Sequence, residues 1–168
     1  MASAPAPIVI LACGNPSRGD DALGPQLLER LHDWLLAEGL SERYELIGDF
    51  QWQIENALDL AGRELALFID ADQQAAAPYA FRRVEASDAP SFAASSHALN
   101  PETVLAVLAR LGQAALPPTY VLGVRGDSFV LGDELSPTAR EHAEAAFAFL
   151  QAFCHAPQTA AWCAAQAG

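Results

Sequence analysis

Ile8-Val9-Ile10-Leu11-Ala12-Cys13-Gly14-Asn15-Pro16-Ser17-Arg18-Gly19-Asp20-Asp21 decides how this chain folds. A short apolar run stops at a Gly-Asn-Pro turn, and the turn delivers two adjacent carboxylates. That order predicts a buried strand ending in a tight loop, with acidic groups held at its carboxyl end. A phosphate-binding loop would follow the same glycines with Lys, Ser or Thr. This loop presents negative charge instead, which suits a cation, a proton or a water.

Outward from this stretch, apolar runs alternate with helical patterns. Leu23, Leu27, Leu31, Trp34 and Leu35 repeat with helical period, and Gly39 follows as a stop. Pro25 fits only the first turn of that helix, so Asp20 and Asp21 fall at or just before its start. Tyr44–Ile47 reads as a second strand, and the spacing of Ile54, Leu58 and Ala61 suggests a short helix. Leu65–Ile69 is a third strand, ending at Asp70, and its unbroken apolarity predicts burial on both faces. Tyr79–Val84 reads as an edge strand and Tyr120–Val124 as a further core strand. Asn100-Pro101 and Ser136-Pro137 each open a helix as N-cap and first residue. The first of these turns Val104, Leu105, Leu108 and Leu111 inward and stops at Gly112; the second buries Ala139, Ala143, Phe147, Leu150 and Cys154. The alternation predicts an α/β fold, a three-layer α/β/α sandwich around a mainly parallel, twisted sheet of about five strands. One domain is expected over residues 1–168, with 1–7 a flexible leader, the core at about 8–155, and 156–168 a tail.

Composition narrows the function. A net charge of −12 argues against nucleic acid or anionic lipid, both of which need a basic footprint. No apolar run approaches the roughly 20 residues that cross a bilayer, and the first residues lack the basic and apolar segments of a secretory signal. Three cysteines, Cys13, Cys154 and Cys163, have no metal-type spacing; Cys13 reads as a buried reduced thiol and the cytoplasm as the compartment.

In open α/β sheets, sites form outside the carboxyl ends of the strands. Asp20 and Asp21 follow the first strand and Asp70 ends the third. His97 lies in Ala94-Ser95-Ser96-His97, just before the Asn100 helix start. Two carboxylate sources and an imidazole make a mixed oxygen and nitrogen site for a borderline divalent metal such as nickel or zinc. A nearby helix N-terminus favours a neutral imidazole and nearby carboxylates favour a charged one, which leaves the protonation of His97 open. Taken singly, each residue also has an ordinary reading: Asp20 as a helix cap or the orienter of its neighbour, Asp70 as a turn residue, His97 as a surface loop residue. His32, His142 and His155 fall on helices and are expected in solvent. H-E-x-x-H, G-x-S-x-G and Walker signatures are absent. Cys13 paired with His97 as nucleophile and base is disfavoured because the thiol sits inside the strand.

The motifs also resemble a known family. Gly14-Asn15-Pro16-Ser17-Arg18-Gly19-Asp20-Asp21-Ala22-Leu23-Gly24-Pro25 resembles the opening motif of the nickel–iron hydrogenase maturation endopeptidases. Phe68-Ile69-Asp70-Ala71 is similar to their second acidic motif, and Ser95-Ser96-His97 to their histidine motif. Val121-Leu122-Gly123-Val124 and Leu135-Ser136-Pro137-Thr138 are similar to their closing strand and helix start, so the resemblance runs from Ile8 to Phe153. It implies a protease that removes a C-terminal extension from the hydrogenase large-subunit precursor after nickel insertion. The family's metal-contacting positions carry over to Asp21, Asp70 and His97, and Asp20 matches the acidic residue beside the first of them; all four are candidate catalytic residues, with water activated either by the metal or by Asp20 or Asp70 as general base. Nickel would arrive with the precursor, leaving the resting enzyme metal-free, and a monomer is the expected state. Some members place Glu at Asp21, and a Gly is common at Ala22. Asp49-Phe50-Gln51-Trp52-Gln53-Ile54-Glu55 replaces a Gly-Thr loop and looks more like the variant serving bidirectional, NAD-coupled hydrogenases. Two other readings use the same residues: a non-catalytic chaperone sensing nickel in the large subunit, and a nucleotide-binding enzyme at Gly14–Gly19. Asp20 and Asp21 oppose the latter, while Arg18 favours it.

Overall fold

Six consecutive buried residues, Ile8–Cys13, form strand β1, an interior strand of the sheet. The computed structural model describes residues 4–87, 99–112 and 115–157. Chain order continues with a short 3-10 turn at Gly19–Ala22, then α1 (Leu23–Glu38), β2 (Tyr44–Asp49) and α2 (Asn56–Leu60). After these come β3 (Leu65–Asp72), β4 (Tyr79–Val84), α3 (Pro101–Leu111), β5 (Thr119–Arg125) and α4 (Pro137–His155). The strand order is β2-β1-β3-β5-β4, parallel throughout except for β4, which runs antiparallel to β5 at the edge.

Strand alternation sorts the side chains into two cores. Ile8, Ile10, Leu67, Ile69 and Leu122 pack against α1 and α4. Val9, Leu11, Cys13, Phe68 and Val121 face the opposite way, toward α2 and α3. Burial on both faces is why β1, β3 and β5 read as unbroken apolar runs. On the α2/α3 side, fully buried Phe68 meets Trp52 edge-on, ring centroids 4.9 Å apart. Truncating Phe68 to Ala there would cost about 3–5 kcal/mol.

The helix boundaries follow their caps. Asn100 Oδ1 accepts from the Thr103 N–H at 2.8 Å, with Pro101 as first residue, and α3 stops at left-handed Gly112. Ser136 Oγ accepts from the Ala139 N–H at 3.2 Å with Pro137 next in line, and α1 ends at left-handed Gly39.

Four expectations are corrected. Asp70 does not end β3; the strand runs on to Asp72 because β5 pairs with it as far as Asp72 opposite Arg125. The short helix suggested by Ile54, Leu58 and Ala61 is α2, but it contains only Leu58 of the three; Ile54 and Leu58 are exposed, whereas Asn56, Ala57 and Leu60 are buried. A helix of five residues is too short for its periodicity to be read reliably. Leu111, in the last turn of α3, is exposed. Finally, His142 is half-buried, its Nδ1 donating to the Arg125 carbonyl at 2.9 Å. Among the described residues, no helix is long and apolar enough to cross a membrane.

Candidate functional site

The connection after β1 crosses to β2 through α1 on one face of the sheet, whereas α2, on the other face, leads to β3 on the opposite side of β1. The carboxyl ends of β1 and β3 therefore flank a switch point, where departing loops leave a crevice. A cavity of about 500 Å³ opens there, on the α3 side. Cys13, Asp21 and Asp70 line one part of it, Phe50, Gln51 and Trp52 another, and Arg82 and Leu99–Pro101 the rest of the wall.

The glycines of the first loop are there for space. At Gly14, φ is +147°, and a Cβ would sit 2.0 Å from the Asp21 carbonyl oxygen. At Gly24, a Cβ would sit 2.4 Å from the Cys13 carbonyl oxygen, so α1 can start close against the end of β1. Asn15 Oδ1 closes the turn by accepting from the Ser17 N–H, and the Asn15 N–H donates to Asp21 Oδ2 at 2.7 Å. Ala22 adopts ordinary helical angles, so nothing at that position requires a glycine.

The two neighbouring aspartates face different surroundings. Asp20 is completely buried, and its carboxylate accepts from the Ser136 N–H at 2.7 Å, Ser136 Oγ–H at 2.9 Å, Asp127 N–H at 2.9 Å and Ser128 N–H at 3.1 Å. Burial alone would raise its pKa, but the bonds from Ser136, Asp127 and Ser128 outweigh it and leave the group below its ordinary value. The result ties the loop after β1 to the start of α4. Asp20 is not among the residues lining the cavity, whereas Asp21 is.

Asp70 behaves in the opposite way. Burial, with added repulsion from Asp21 and Asp72, pushes its pKa up to about 7, against the opposing bonds from the Cys13 thiol and the Ala71 N–H. Cys13 is a buried free thiol. Burial and then the charges of Asp70, Asp21 and Asp49 drive its pKa far above the ordinary thiol range. It is a proton donor to Asp70 and unsuited to nucleophilic attack.

Asp21 and Asp70 thus line one cavity, and Asp20 braces the loop from behind. His97 lies outside the described residues, as does Cys163. Among the described residues, no three His, Cys, Asp or Glu side chains gather to hold a metal ion. The donor set that is described, two hard oxygen ligands in mutual repulsion, favours a cation or a shared proton. Sequence reasoning missed the Cys13–Asp70 bond and the place of Arg82 on the wall. Both depend on strand register: Arg82 stands opposite Val121, whose side chain faces the same layer as Phe68 and Cys13.

Solved structures share this architecture. The [NiFe] hydrogenase maturation protease HycI from Thermococcus kodakarensis KOD1 superposes with a TM-score of 0.65 and 23% identity, over 91% of this chain and 95% of its own. The hydrogenase maturating endopeptidase HybD from E. coli gives 0.65 and 22%, over 90% and 93%. The hydrogenase 2 maturation peptidase from Thaumarchaeota archaeon SCGC_AB-539-E09 gives 0.57 and 19%, over 86% and 95%. The chain has the fold of these proteins. No protein-family model matches it, and no curated protein sequence does.

Proposed function

We propose that this protein is an endopeptidase that removes the C-terminal extension of a nickel–iron hydrogenase large-subunit precursor after nickel insertion, in the cytoplasm. The observation that carries this reading is the meeting of Asp21 and Asp70 in one cavity at the β1–β3 switch point. The motifs around them and the fold shared with HycI and HybD support it.

In this reading His97 is the third ligand. In the sequence it precedes cavity-lining Leu99 by two residues. The nickel belongs to the substrate, carried in by the precursor's own cysteines. Two carboxylates and an imidazole hold free metal weakly, so the resting enzyme is metal-free and the loaded precursor is what fills the site. Asp70 retains a proton near neutrality because it is buried beside Asp21. A docked divalent cation reverses that repulsion, and Asp70 releases the proton. The ionised carboxylate then stands beside the scissile peptide, where it orients water and accepts its proton. Water oxygen adds to the carbonyl carbon, the C–N bond breaks, and the proton passes to the leaving amine. Asp20, held ionised by its own bonds, positions this loop and takes no part in proton transfer. Phe50, Gln51 and Trp52, in the segment that departs from the Gly-Thr loop, help select the precursor. A bidirectional, NAD-coupled hydrogenase is the first partner to try.

The test is incubation of the purified protein with nickel-loaded and nickel-free precursor, followed by mass spectrometry. Shortening of the loaded form alone is expected. Equal shortening of both would contradict gating by nickel, and binding without shortening would leave a chaperone rather than a protease.

A further inference from the structure

A second cavity, of about 520 Å³, runs along the outer edge of the sheet between β2 and α1. Pro16, Pro25, Leu28, Leu46 and Phe50 make it largely apolar. It is continuous with the candidate site, because Phe50 lines both cavities and Gly14 and Pro16 come from the aspartate loop. Phe50 is 69% exposed where the two cavities meet.

The backbone along this groove is arranged for pairing. β2 is an edge strand. The Asp49 carbonyl accepts from the Gly14 N–H on the β1 side, so strand alternation turns the N–H and C=O groups of Leu46 and Gly48 outward. Both residues line the groove, and Gly48 is exposed. Natural edge strands are commonly guarded by lysine, proline or a bulge. The chain has no lysine, and β2 contains neither lysine nor proline. The charged residues lining the groove are Glu29 and Asp49, with no Arg among its walls. That rim selects a basic side chain.

We infer that this edge receives an extended segment of the precursor as a sixth strand beside β2, a peptide with apolar side chains toward α1 and at least one Lys or Arg opposite Glu29 and Asp49. The inference rests on the proposed substrate and adds how that substrate is held. Main-chain bonds from Leu46 and Gly48 supply affinity, the groove supplies preference, and Phe50 marks where the strand passes into the cavity of Asp21 and Asp70.

The probe is a synthetic peptide spanning the precursor's cleavage junction, without nickel, titrated calorimetrically into the full chain. Gly48→Pro removes an outward N–H at an edge where proline is tolerated and should weaken binding about tenfold. Glu29→Arg, an exposed helix position that does not threaten folding, should weaken it about threefold. Glu141→Gln, an exposed position on α4 that lines neither cavity, should leave peptide affinity unchanged. Absence of binding to the wild type, equal binding to all variants, or loss only in Glu141→Gln would overturn the inference. So would light scattering that finds dimers dissolved by Gly48→Pro, since a second copy would then occupy the edge. Processing of loaded precursor, assayed in parallel, keeps the two claims apart. A wild type that binds the peptide but never cleaves sinks the protease reading alone, and one that cleaves with unaltered peptide affinity in Gly48→Pro and Glu29→Arg sinks the groove alone.

Discussion

Asp20 and Asp70 stand at the same rim of one sheet and have opposite chemistry. Asp20 is buried and accepts four hydrogen bonds, so its charge is welcome and its pKa falls. Asp70 is enclosed beside other carboxylates, and its pKa climbs to about 7. Burial acts in the same direction on both; what differs is whether donors or acids surround the group. Two carboxylates driven apart in this way commonly divide the structural and chemical work of a site. Here the satisfied one holds the loop, and the frustrated one faces the cavity.

The contrast can be broken most forcefully at Asp20. Asp20→Ala strands the N–H groups of Asp127, Ser128 and Ser136 and should cost about 3–5 kcal/mol of stability in urea denaturation. Because the folded pKa lies below the ordinary value, this stabilisation is present above pH ~4 and disappears as pH falls through the depressed value. A loss under 1 kcal/mol would mean that the four bonds are not what holds the loop.

Activity should respond to the other pair. Asp21→Ala and Asp70→Ala should each slow precursor processing more than about 100-fold while the protein stays folded. Normal processing by either variant would remove that residue from the chemistry.

A stabilising change is expected next. The native protein holds the Asp70 proton between pH ~4 and about 7 while the unfolded chain does not, so stability falls as pH rises through that window. Asp70→Asn removes the charge that burial resists and should gain about 2 kcal/mol above pH 7, with no gain near pH 4. Thermal melts at the two pH values check it; a variant less stable than wild type at pH 8 would contradict the frustrated-carboxylate reading.

The smallest effect is expected at a surface carboxylate. Glu144 pairs with Arg30 across α1 and α4 at 2.9 Å, and Arg30 also lies 4.1 Å over the Phe147 ring. Both charged groups are exposed, so Glu144→Gln should cost less than about 1 kcal/mol, and less still in high salt. A larger loss would show that exposure alone does not rank these acids.

Much of this arrangement was legible in the chain because it is written locally. The caps at Asn100 and Ser136, the stop at Gly39 and the apolar runs of β1, β3 and β5 each depend on a few adjacent residues. The place of Asp21 and Asp70 at one rim followed from those runs and the general geometry of open sheets. What stayed hidden depends on distant partners. Asp20 meets groups 107 to 116 residues away, and no local pattern separates a cap from a brace. The length of β3 was set by its pairing with β5, and the exposed side of α2 by a helix too short to declare its face. His142 was read as a solvated helical residue, and only the path of β5 brings the Arg125 carbonyl to its ring.

Carbon-13 NMR titration of the side-chain carboxyls, in the wild type and in Asp21→Asn, addresses the division between Asp20 and Asp70 most directly. An Asp70 midpoint near 7 that drops when Asp21 is neutralised, with Asp20 still ionised below the ordinary carboxylate range, is the expected result. An Asp70 midpoint near 4 that ignores Asp21 would contradict the shared cavity on which the proposed chemistry depends.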